Sequence, residues 1–240
     1  MSAGAPPLVV LWDIDGTLMR SPGVGVRAFI GAIEEVTGRT WTPERLDFGG
    51  RTDPDIAALL LAAVGVEDVT LVPAVLEALV RGYAAIDAEL QASVRVMPGV
   101  VAAIEALVAH QAVQTVVTGN LEVVARQKLA AARLVDRLRL ECGAFGSDDH
   151  ADRAALVELA ITRVTAAGGA VDRDRVWVVG DTPRDLVAAR AAGVRCLLVG
   201  TGAHRHEDLV ALEADAAFAD LSELARVLAT LVPGSGMTIS

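Results

Sequence analysis

The chain has 240 residues, of which 53% are hydrophobic, and its formal net charge is −10. A surface with this excess of carboxylates repels the phosphate backbone of nucleic acids, so the composition argues against a nucleic-acid partner. No apolar run approaches the roughly 18 residues that a membrane helix needs, and the opening MSAGAPP lacks the basic and apolar segments of a signal peptide. We therefore expect a cytoplasmic protein without membrane spans, large enough for one domain or for a core with an insertion.

The two cysteines, Cys142 and Cys196, lie far apart in apolar surroundings. There is no CxxC pair and no nearby histidine cluster, which are the usual marks of a zinc or redox site. The sequence therefore predicts two buried free thiols rather than a disulfide or a metal centre.

Four short apolar runs predict buried strands. They are LVVLW at 8–12, VQTVV at 113–117, VWVVG at 176–180 and RCLLV at 195–199. Helical patterns separate the later runs, and such alternation is typical of a parallel sheet with helices on both faces. We predict an α/β fold with a doubly wound, Rossmann-like core. Its predicted helices span 99–110, 121–134, 152–169, 183–193 and 221–232, with Pro183 in a first turn and Gly193 past a helix end.

About 100 residues separate the first run from the second, far more than one crossover helix requires. They contain no convincing strand, and they show helical patterns at 25–38, 53–65 and 70–92. Asp53 is the predicted N-cap of the second of these helices, with Pro54 in its first turn. The sequence thus predicts an all-helical cap domain at 21–96, inserted after the first strand into a core formed by 1–20 and 97–240.

Polar residues follow three of the predicted strands, at the edge where open parallel sheets bind ligands. They are Asp13 and Asp15, then Thr118, Gly119 and Asn120, then GDTPRD at 180–185. Side chains alternate along a strand, so Asp13 and Asp15 point the same way. At ~4 Å and an effective dielectric of ~20, their repulsion is about 4 kcal/mol. Either one carboxyl keeps its proton, or a cation lies between them; ligands made only of oxygen favour Mg²⁺.

Each of these segments taken alone also fits an ordinary turn or helix cap. Together, DIDGTL at 13–18, VVTGN at 116–120 and GDTPRD at 180–185 resemble the first, second and fourth signature motifs of the haloacid dehalogenase superfamily. GGRTDPDI at 49–56 is similar to a stretch of phosphoglycolate phosphatases and β-phosphoglucomutases. The resemblance covers nearly the whole chain. It implies a Mg²⁺-dependent phosphatase that hydrolyses a small-molecule phosphate monoester through an aspartyl-phosphate.

The resemblance also implies a role for each matching residue. Asp13 is the expected nucleophile, and Asp15 the acid that protonates the leaving oxygen and later accepts a proton from water. Thr118 and the adjacent backbone N–H groups, with Gly119 and Asn120, are expected to hold the phosphoryl oxygens. The expected ligands of Mg²⁺ are Asp13, the backbone carbonyl of Asp15, and Asp181, with Asp185 as a further ligand or as support.

The third signature motif, a basic residue beside the nucleophile, is the weakest match. GSDDHADRAAL at 146–156 offers Arg153, and we predict that Arg153 takes this place because a guanidinium can bridge a carboxylate and a phosphate. Lys128, the only lysine of the chain, is the alternative for this place, but it falls in the middle of a helix, where we expect a solvated side chain. Arg51, beside Gly50, is the predicted substrate contact of the cap, the alternative being a surface arginine ahead of a capped helix.

Two other functions remain open. A β-phosphoglucomutase-like mutase shares both aspartates and a similar cap, although the absence of lysine from 21–96 favours a hydrolase. A catalytically silent protein of the same fold would bind a phospho-ligand without turnover. Dehalogenases and phosphonate-cleaving members lack a counterpart of Asp15, so the resemblance argues against those activities.

Overall fold

The computed structural model describes residues 6–40, 42, 48–148, 152–168 and 171–232. Five strands form a parallel sheet, and two form a short antiparallel pair. The strands of the sheet are β1 (Val9–Trp12), β4 (Val113–Val116), β5 (Val176–Gly180), β6 (Arg195–Val199) and β7 (Ala216–Phe218), in the order β4-β1-β5-β6-β7. The pair consists of β2 (Met19–Arg20) and β3 (Arg95–Val96).

Ten α-helices lie in the described part of the chain. They are α1 (Val24–Thr37), α2 (Asp53–Ala63), α3 (Val72–Ala85), α4 (Asp87–Ser93), α5 (Val100–Ala109), α6 (Glu122–Ala131), α7 (Arg153–Gly168), α8 (Pro183–Ala191), α9 (His206–Val210) and α10 (Leu224–Leu231). Helices α5, α6 and α10 pack on one face of the sheet, and α7 and α8 pack on the other. The predicted doubly wound α/β fold is therefore confirmed.

Strand β1 lies in the interior of the sheet and is buried on both sides. Val10 and Trp12 belong to the hydrophobic core on one face, whereas Val9 and Leu11 belong to the core on the other. A strand covered on both faces has no polar side, which explains its unbroken apolar run. Trp12 pairs with positions 116 of β4 and 179 of β5, so these three strands end at the same level. The residues that follow them therefore meet at one edge of the sheet.

The strand predictions are confirmed for β5 and β6 and are one residue too long for β1 and β4. Strands β2, β3 and β7 were not predicted from the sequence. Strand β7 has only three residues, two of them half-buried alanines, and β2 and β3 have two residues each, too few for a periodic pattern. The expectation that no strand lies between the first and second runs is thus wrong: β2 and β3 pair at the base of the helical segment.

Between β2 and β3, the described residues form helices α1 to α4 and a short 3₁₀ turn. The predicted helix at 70–92 is divided at Ile86, where α3 and α4 meet at a bend. A separate hydrophobic core joins α1, α2 and α3, and Leu121 and Val124 from the start of α6 complete it. This core therefore binds the helical segment to the edge of the sheet.

The end of α2 nearest the sheet corrects one prediction. Thr52, not Asp53, is the N-cap residue: its backbone is extended, and its hydroxyl accepts the N–H of Asp55 at 3.3 Å. Asp53 is the first residue of the helix, which leaves its carboxylate available for another contact. The predictions for Pro183, which begins α8, and for Gly193, which has φ of 62° beyond its end, are confirmed.

Both cysteines are buried free thiols, as predicted. The predicted helix at 152–169 is described to Gly168, and residue 169 lies outside the described residues. Over the described ranges, no helix taken singly has the length and apolar character to cross a membrane. The segments Val69–Ala85 and Asp87–Ser93, which meet at 67°, satisfy those criteria only as a bent pair.

Candidate active site

A cavity of about 270 Å³ opens at the carboxyl ends of β1 and β4, below helices α1 to α3. It is lined by every predicted catalytic and substrate-binding residue: Asp13, Asp15, Thr118, Arg153, Gly119, Asn120, Arg51 and Gly50. Asp181 and Asp185 lie behind this wall and do not line the cavity. The structure thus brings together residues that are up to 140 positions apart in the sequence.

At the cavity wall, three buried carboxylates form a cluster that includes Asp13. One oxygen each from Asp13, Asp181 and Asp185 lies within 4.8 Å of the other two. Burial raises the pKa of Asp13 to about 6, where Arg153 opposes the rise and Asp185 adds to it. Burial raises the pKa of Asp181 to about 8, and the charges of Asp13 and Asp185 add to the rise. A set of crowded oxygen ligands fits a hard divalent cation such as Mg²⁺.

Two glycines make room for the carboxylate of Asp181. A Cβ atom on Gly16 would lie 2.4 Å from Asp181 Oδ2, and one on Gly202 would lie 1.5 Å from the same atom. Gly16 also has φ of 91°, in the region that favours glycine. Thr17 Oγ1 donates a hydrogen bond of 3.3 Å to the other oxygen of Asp181. Gly16 and Thr17 are therefore explained by the space and the donor that Asp181 needs.

Arg153, the first residue of α7, supplies a buried positive charge to the cluster. Its Nη2 lies 2.6 Å from Oδ1 of Asp13 and 2.6 Å from Oδ1 of Asp185, and its Nε donates to the latter oxygen at 2.9 Å. Burial acts to lower the pKa of Arg153, but the two carboxylates outweigh it and the net direction is upward. Asp185 also accepts hydrogen bonds from the backbone N–H and hydroxyl of Thr182, so it holds Arg153 in place.

Lys128 is not solvated, and that prediction is wrong. Its side chain is buried, and its Nζ donates hydrogen bonds of 2.6 Å to Asp15 Oδ2 and to Asn120 Oδ1. Nζ also lies 5.6 Å from the centroid of the Tyr83 ring. Lys128 is four residues after the buried Val124 and shares its face of α6. That spacing could have indicated a buried position, whereas the cover provided by α3 is a long-range contact.

Asp15 and Asn120 connect Lys128 to the expected phosphoryl site. The side chain of Asp15 is 43% exposed, and its Oδ2 accepts a 2.8 Å hydrogen bond from Asn120 Nδ2. The same Nδ2 donates to Thr118 Oγ1 at 2.8 Å. The carboxylate of Asp15 is not a member of the acidic cluster. The two aspartates of the first motif therefore have different partners and different access to water.

Asp53 joins the helical segment to the loop after β4. Its backbone N–H donates to the carbonyl of Gly119 at 2.7 Å, and its carboxylate accepts the N–H of Leu121 at 2.7 Å. Burial raises the pKa of Asp53 to about 6, although Lys128 opposes the rise. Gly119 has no room for a side chain, because a Cβ would lie 2.1 Å from the carbonyl oxygen of Arg51. We call these two hydrogen bonds between Asp53 and residues 119–121 the clasp. Sequence analysis does not predict it, since Asp53 fits a helix cap equally well.

The loop around Gly50 packs against the segment that follows β5. Gly50 has φ of 66°, and a Cβ there would lie 2.7 Å from Thr182 Oγ1. Arg184 donates a hydrogen bond to the carbonyl of Gly49. The half-buried Arg51 borders the cavity from this loop. The loop therefore contacts the segments after both β4 and β5.

Fold and site together describe an α/β protein with an acidic cluster at the edge of a parallel sheet, and the comparisons with known proteins identify its family. The sequence pattern of the haloacid dehalogenase-like hydrolases matches residues 10–199. The chain belongs to this family, which confirms the predicted family and enzyme class.

Individual relatives agree with this assignment. A curated protein described as "Probable phosphatase IndB", from Dickeya dadantii (strain 3937), is 29% identical over 237 residues, covering 97% of this chain and 98% of the relative. The structure of a predicted phosphoglycolate phosphatase from Haemophilus somnus 129PT superposes with a TM-score of 0.68 at 19% identity, covering 94% and 99% of the two chains. CbbY from Rhodobacter sphaeroides, in complex with xylulose-(1,5)bisphosphate, superposes with a TM-score of 0.73 at 20% identity, covering 91% and 96%. At these identities the structural matches show a shared fold.

Proposed function

We propose that the protein is a Mg²⁺-dependent phosphatase that hydrolyses a small-molecule phosphate monoester through an aspartyl-phosphate on Asp13. One observation carries the proposal: Asp13 borders the cavity while its carboxylate lies in the acidic cluster and against Arg153. A nucleophile in this position reaches a ligand on one side and is held by charges on the other. Family membership supports the same chemistry.

In the proposed reaction, Asp13 attacks the phosphorus atom and the ester P–O bond breaks. The departing oxygen takes a proton from Asp15, which lies beside the cavity and is open to water. Water then attacks the phosphorus of the aspartyl-phosphate and gives a proton to Asp15, which releases phosphate and restores Asp13. Arg153 keeps its charge throughout and offsets the negative charge of Asp13 and of the phosphoryl group.

The residues of the acidic cluster fit a divalent cation. Asp13, Asp181 and the backbone carbonyl of Asp15 are the proposed direct ligands. Both oxygens of Asp185 already accept hydrogen bonds, from Thr182 and from Arg153, so its proposed role is to support the site. When bound, Mg²⁺ reduces the repulsion between the anionic nucleophile and the anionic substrate.

The proposed phosphoryl pocket is the loop after β4. Thr118 is fully buried at the floor of the cavity, and Gly119 presents a backbone free of any side chain. We assign the hydroxyl of Thr118 and the N–H of Gly119 to the phosphoryl oxygens. The side chain of Asn120 acts through its hydrogen bonds to Thr118 and Asp15.

We further propose that residues 21–96 form a cap domain over a core of 1–20 and 97–240. The β2–β3 pair lies at the junction of these units, where both connecting strands cross together. The cap contributes Gly50 and Arg51 to the cavity, and these residues are the proposed contacts to the leaving group. Such lids exclude water once a substrate is bound.

The test is phosphate release from a panel of monoesters that includes phosphoglycolate and β-glucose 1-phosphate. We expect activity with Mg²⁺, loss of activity with EDTA, and recovery on adding Mg²⁺. Asp13→Asn should lower kcat by at least about a thousandfold, because the amide is not a nucleophile. Asp136→Asn, at an exposed position, is the matched control and should behave as wild type. Wild-type turnover by Asp13→Asn, or turnover unaffected by EDTA, would refute the proposal.

A further inference from the structure

Lys128 lies in the cavity wall, and the proposed reaction gives it no role. It is the only lysine of the chain and is buried under the ring of Tyr83. Burial of an ammonium group is unfavourable unless oxygen atoms or ring faces replace its water. Here two oxygens at 2.6 Å, from Asp15 and Asn120, provide that replacement. The proposed nucleophile Asp13 has its own cation in Arg153, whereas the ion pair of Lys128 is with Asp15.

The two donors on Asp15 converge on one oxygen. Oδ2 accepts from both Lys128 Nζ and Asn120 Nδ2, at 2.6 and 2.8 Å. Over the ranges that the structure describes, Oδ1 accepts no hydrogen bond. A carboxylate that is 43% exposed would otherwise sample several side-chain rotamers. Two charge-assisted or amide donors on the same oxygen fix the rotation of the group and leave the second oxygen for another partner.

We propose that Lys128 is a positioning residue that holds Asp15 Oδ2, so that Oδ1 is presented to the oxygen of the leaving group. This role rests on the proposed phosphatase function. Asn120 extends the arrangement, because its Nδ2 also binds Thr118 Oγ1. The acid and the phosphoryl pocket are thereby held at a fixed separation, which is the geometric condition for proton transfer during P–O cleavage.

The first test compares two esters of similar shape, phenyl phosphate and p-nitrophenyl phosphate, with Lys128→Met. Nitrophenolate leaves readily without a proton, whereas phenolate depends on the acid. We expect kcat/KM to fall about a hundredfold for phenyl phosphate but at most about tenfold for p-nitrophenyl phosphate. Equal loss for both esters, or no loss for either, would overturn the proposal. Residual turnover of p-nitrophenyl phosphate shows that the variant folds, and thermal unfolding checks this independently.

Arg126→Met is the matched control. Arg126 lies on the same helix, is exposed, and pairs with Glu122, so the substitution removes one positive charge from α6 without touching the cavity. It should leave both values of kcat/KM as in the wild type. A selective loss with phenyl phosphate in Arg126→Met would mean that the net charge of α6, and not the contact with Asp15, produces the effect.

The second test asks whether Lys128 acts through Asp15. Asp15→Asn should lower kcat/KM for phenyl phosphate strongly, and adding Lys128→Met to it should lower the value by no more than about twofold. A further loss of about a hundredfold in the double variant would show that Lys128 contacts the substrate itself, and would overturn the proposal. Absence of wild-type turnover on these two esters and on every other ester of the panel would instead refute the proposed function.

Discussion

Two ion pairs include the aspartates that follow strand β1: the inner pair, Asp13–Arg153, and the outer pair, Asp15–Lys128. Each has a nitrogen–oxygen distance of 2.6 Å. They differ in their access to water. In the first pair the side chains are 7% and 8% exposed, whereas in the second Asp15 is 43% exposed and Lys128 is 6% exposed. Loss of the cation would leave a buried carboxylate without a positive partner in the first pair. In the second pair it would leave a carboxylate that water can solvate. Two ion pairs of equal length are therefore expected to contribute differently to the stability of the fold.

The largest difference is expected when the buried cation is removed. Arg153→Met leaves Asp13 and Asp185 without their positive partner in a buried site, and we expect the free energy of unfolding to fall by about 3–5 kcal/mol. Urea unfolding at pH 7 in EDTA measures this. Arg126→Met, at an exposed pair, should change it by less than about 0.5 kcal/mol. A change below about 1 kcal/mol in Arg153→Met would contradict the view that the inner pair is structural.

The burial of the acidic cluster leads us to expect that, without a metal, the free energy of unfolding decreases as pH rises. Since burial raises the pKa of Asp181 to about 8, the folded protein binds a proton that the unfolded chain releases near pH 4. This contribution to stability is complete below pH 4 and is lost as pH rises to about 8, a decrease of at least about 2 kcal/mol. Unfolding in EDTA from pH 5 to pH 8 tests the slope.

Two controls accompany that measurement. Asp181→Asn should remove most of the dependence of the free energy of unfolding on pH, because the side chain of asparagine does not titrate. Mg²⁺ added at pH 8 should raise the melting temperature of the wild type, since a ligand of the folded state stabilises it by mass action. A slope equally steep in Asp181→Asn would assign the titration to other groups.

A smaller effect, of opposite sign, is expected at the nucleophile. Burial raises the pKa of Asp13 to about 6 even with Arg153 beside it, so ionising this carboxyl costs more free energy in the folded protein than in the unfolded chain. Asp13→Asn should therefore increase the free energy of unfolding by about 1 kcal/mol in EDTA, while it removes activity. Asp15→Asn, on the hydrated side, should change stability by less than about 0.5 kcal/mol. Destabilisation by Asp13→Asn would show that its charge supports the fold.

The smallest change in stability is expected at the outer pair. Lys128→Met replaces a buried cation by an apolar chain of similar length, and water can solvate the exposed carboxylate that remains. The free energy of unfolding should change by less than about 1 kcal/mol. If urea unfolding gives a loss as large as that of Arg153→Met, the two pairs do not differ as described.

The contrast between these pairs also shows how far the sequence could lead. The strands at 176–180 and 195–199, the turn at Pro183 and the convergence of Asp13 with Asp181 follow from local apolar runs and from the common edge of parallel strands. The environment of Lys128 does not, because its burial depends on α3, which lies about 45 residues earlier in the chain.

Sequence analysis misses the contact between Asp53 and Leu121 for a related reason. Its position beside Pro54 fits a helix cap, but the side chain of Thr52 performs that task locally. The carboxylate of Asp53 instead reaches Leu121, 68 positions away. Local rules identify the beginning of α2 and cannot indicate which of two adjacent polar residues turns toward another part of the fold.

The clasp between Asp53 and residues 119–121 joins the helical segment to the loop after β4. Any separation of the helical segment from the sheet edge breaks both of its hydrogen bonds, which contribute about 1 kcal/mol each. Two such bonds alone favour the joined arrangement by roughly thirtyfold. The two hydrogen bonds involve Gly119 and Leu121, the residues on either side of Asn120. A ligand that rearranged this loop would therefore change the clasp between the helical segment and the edge of the sheet.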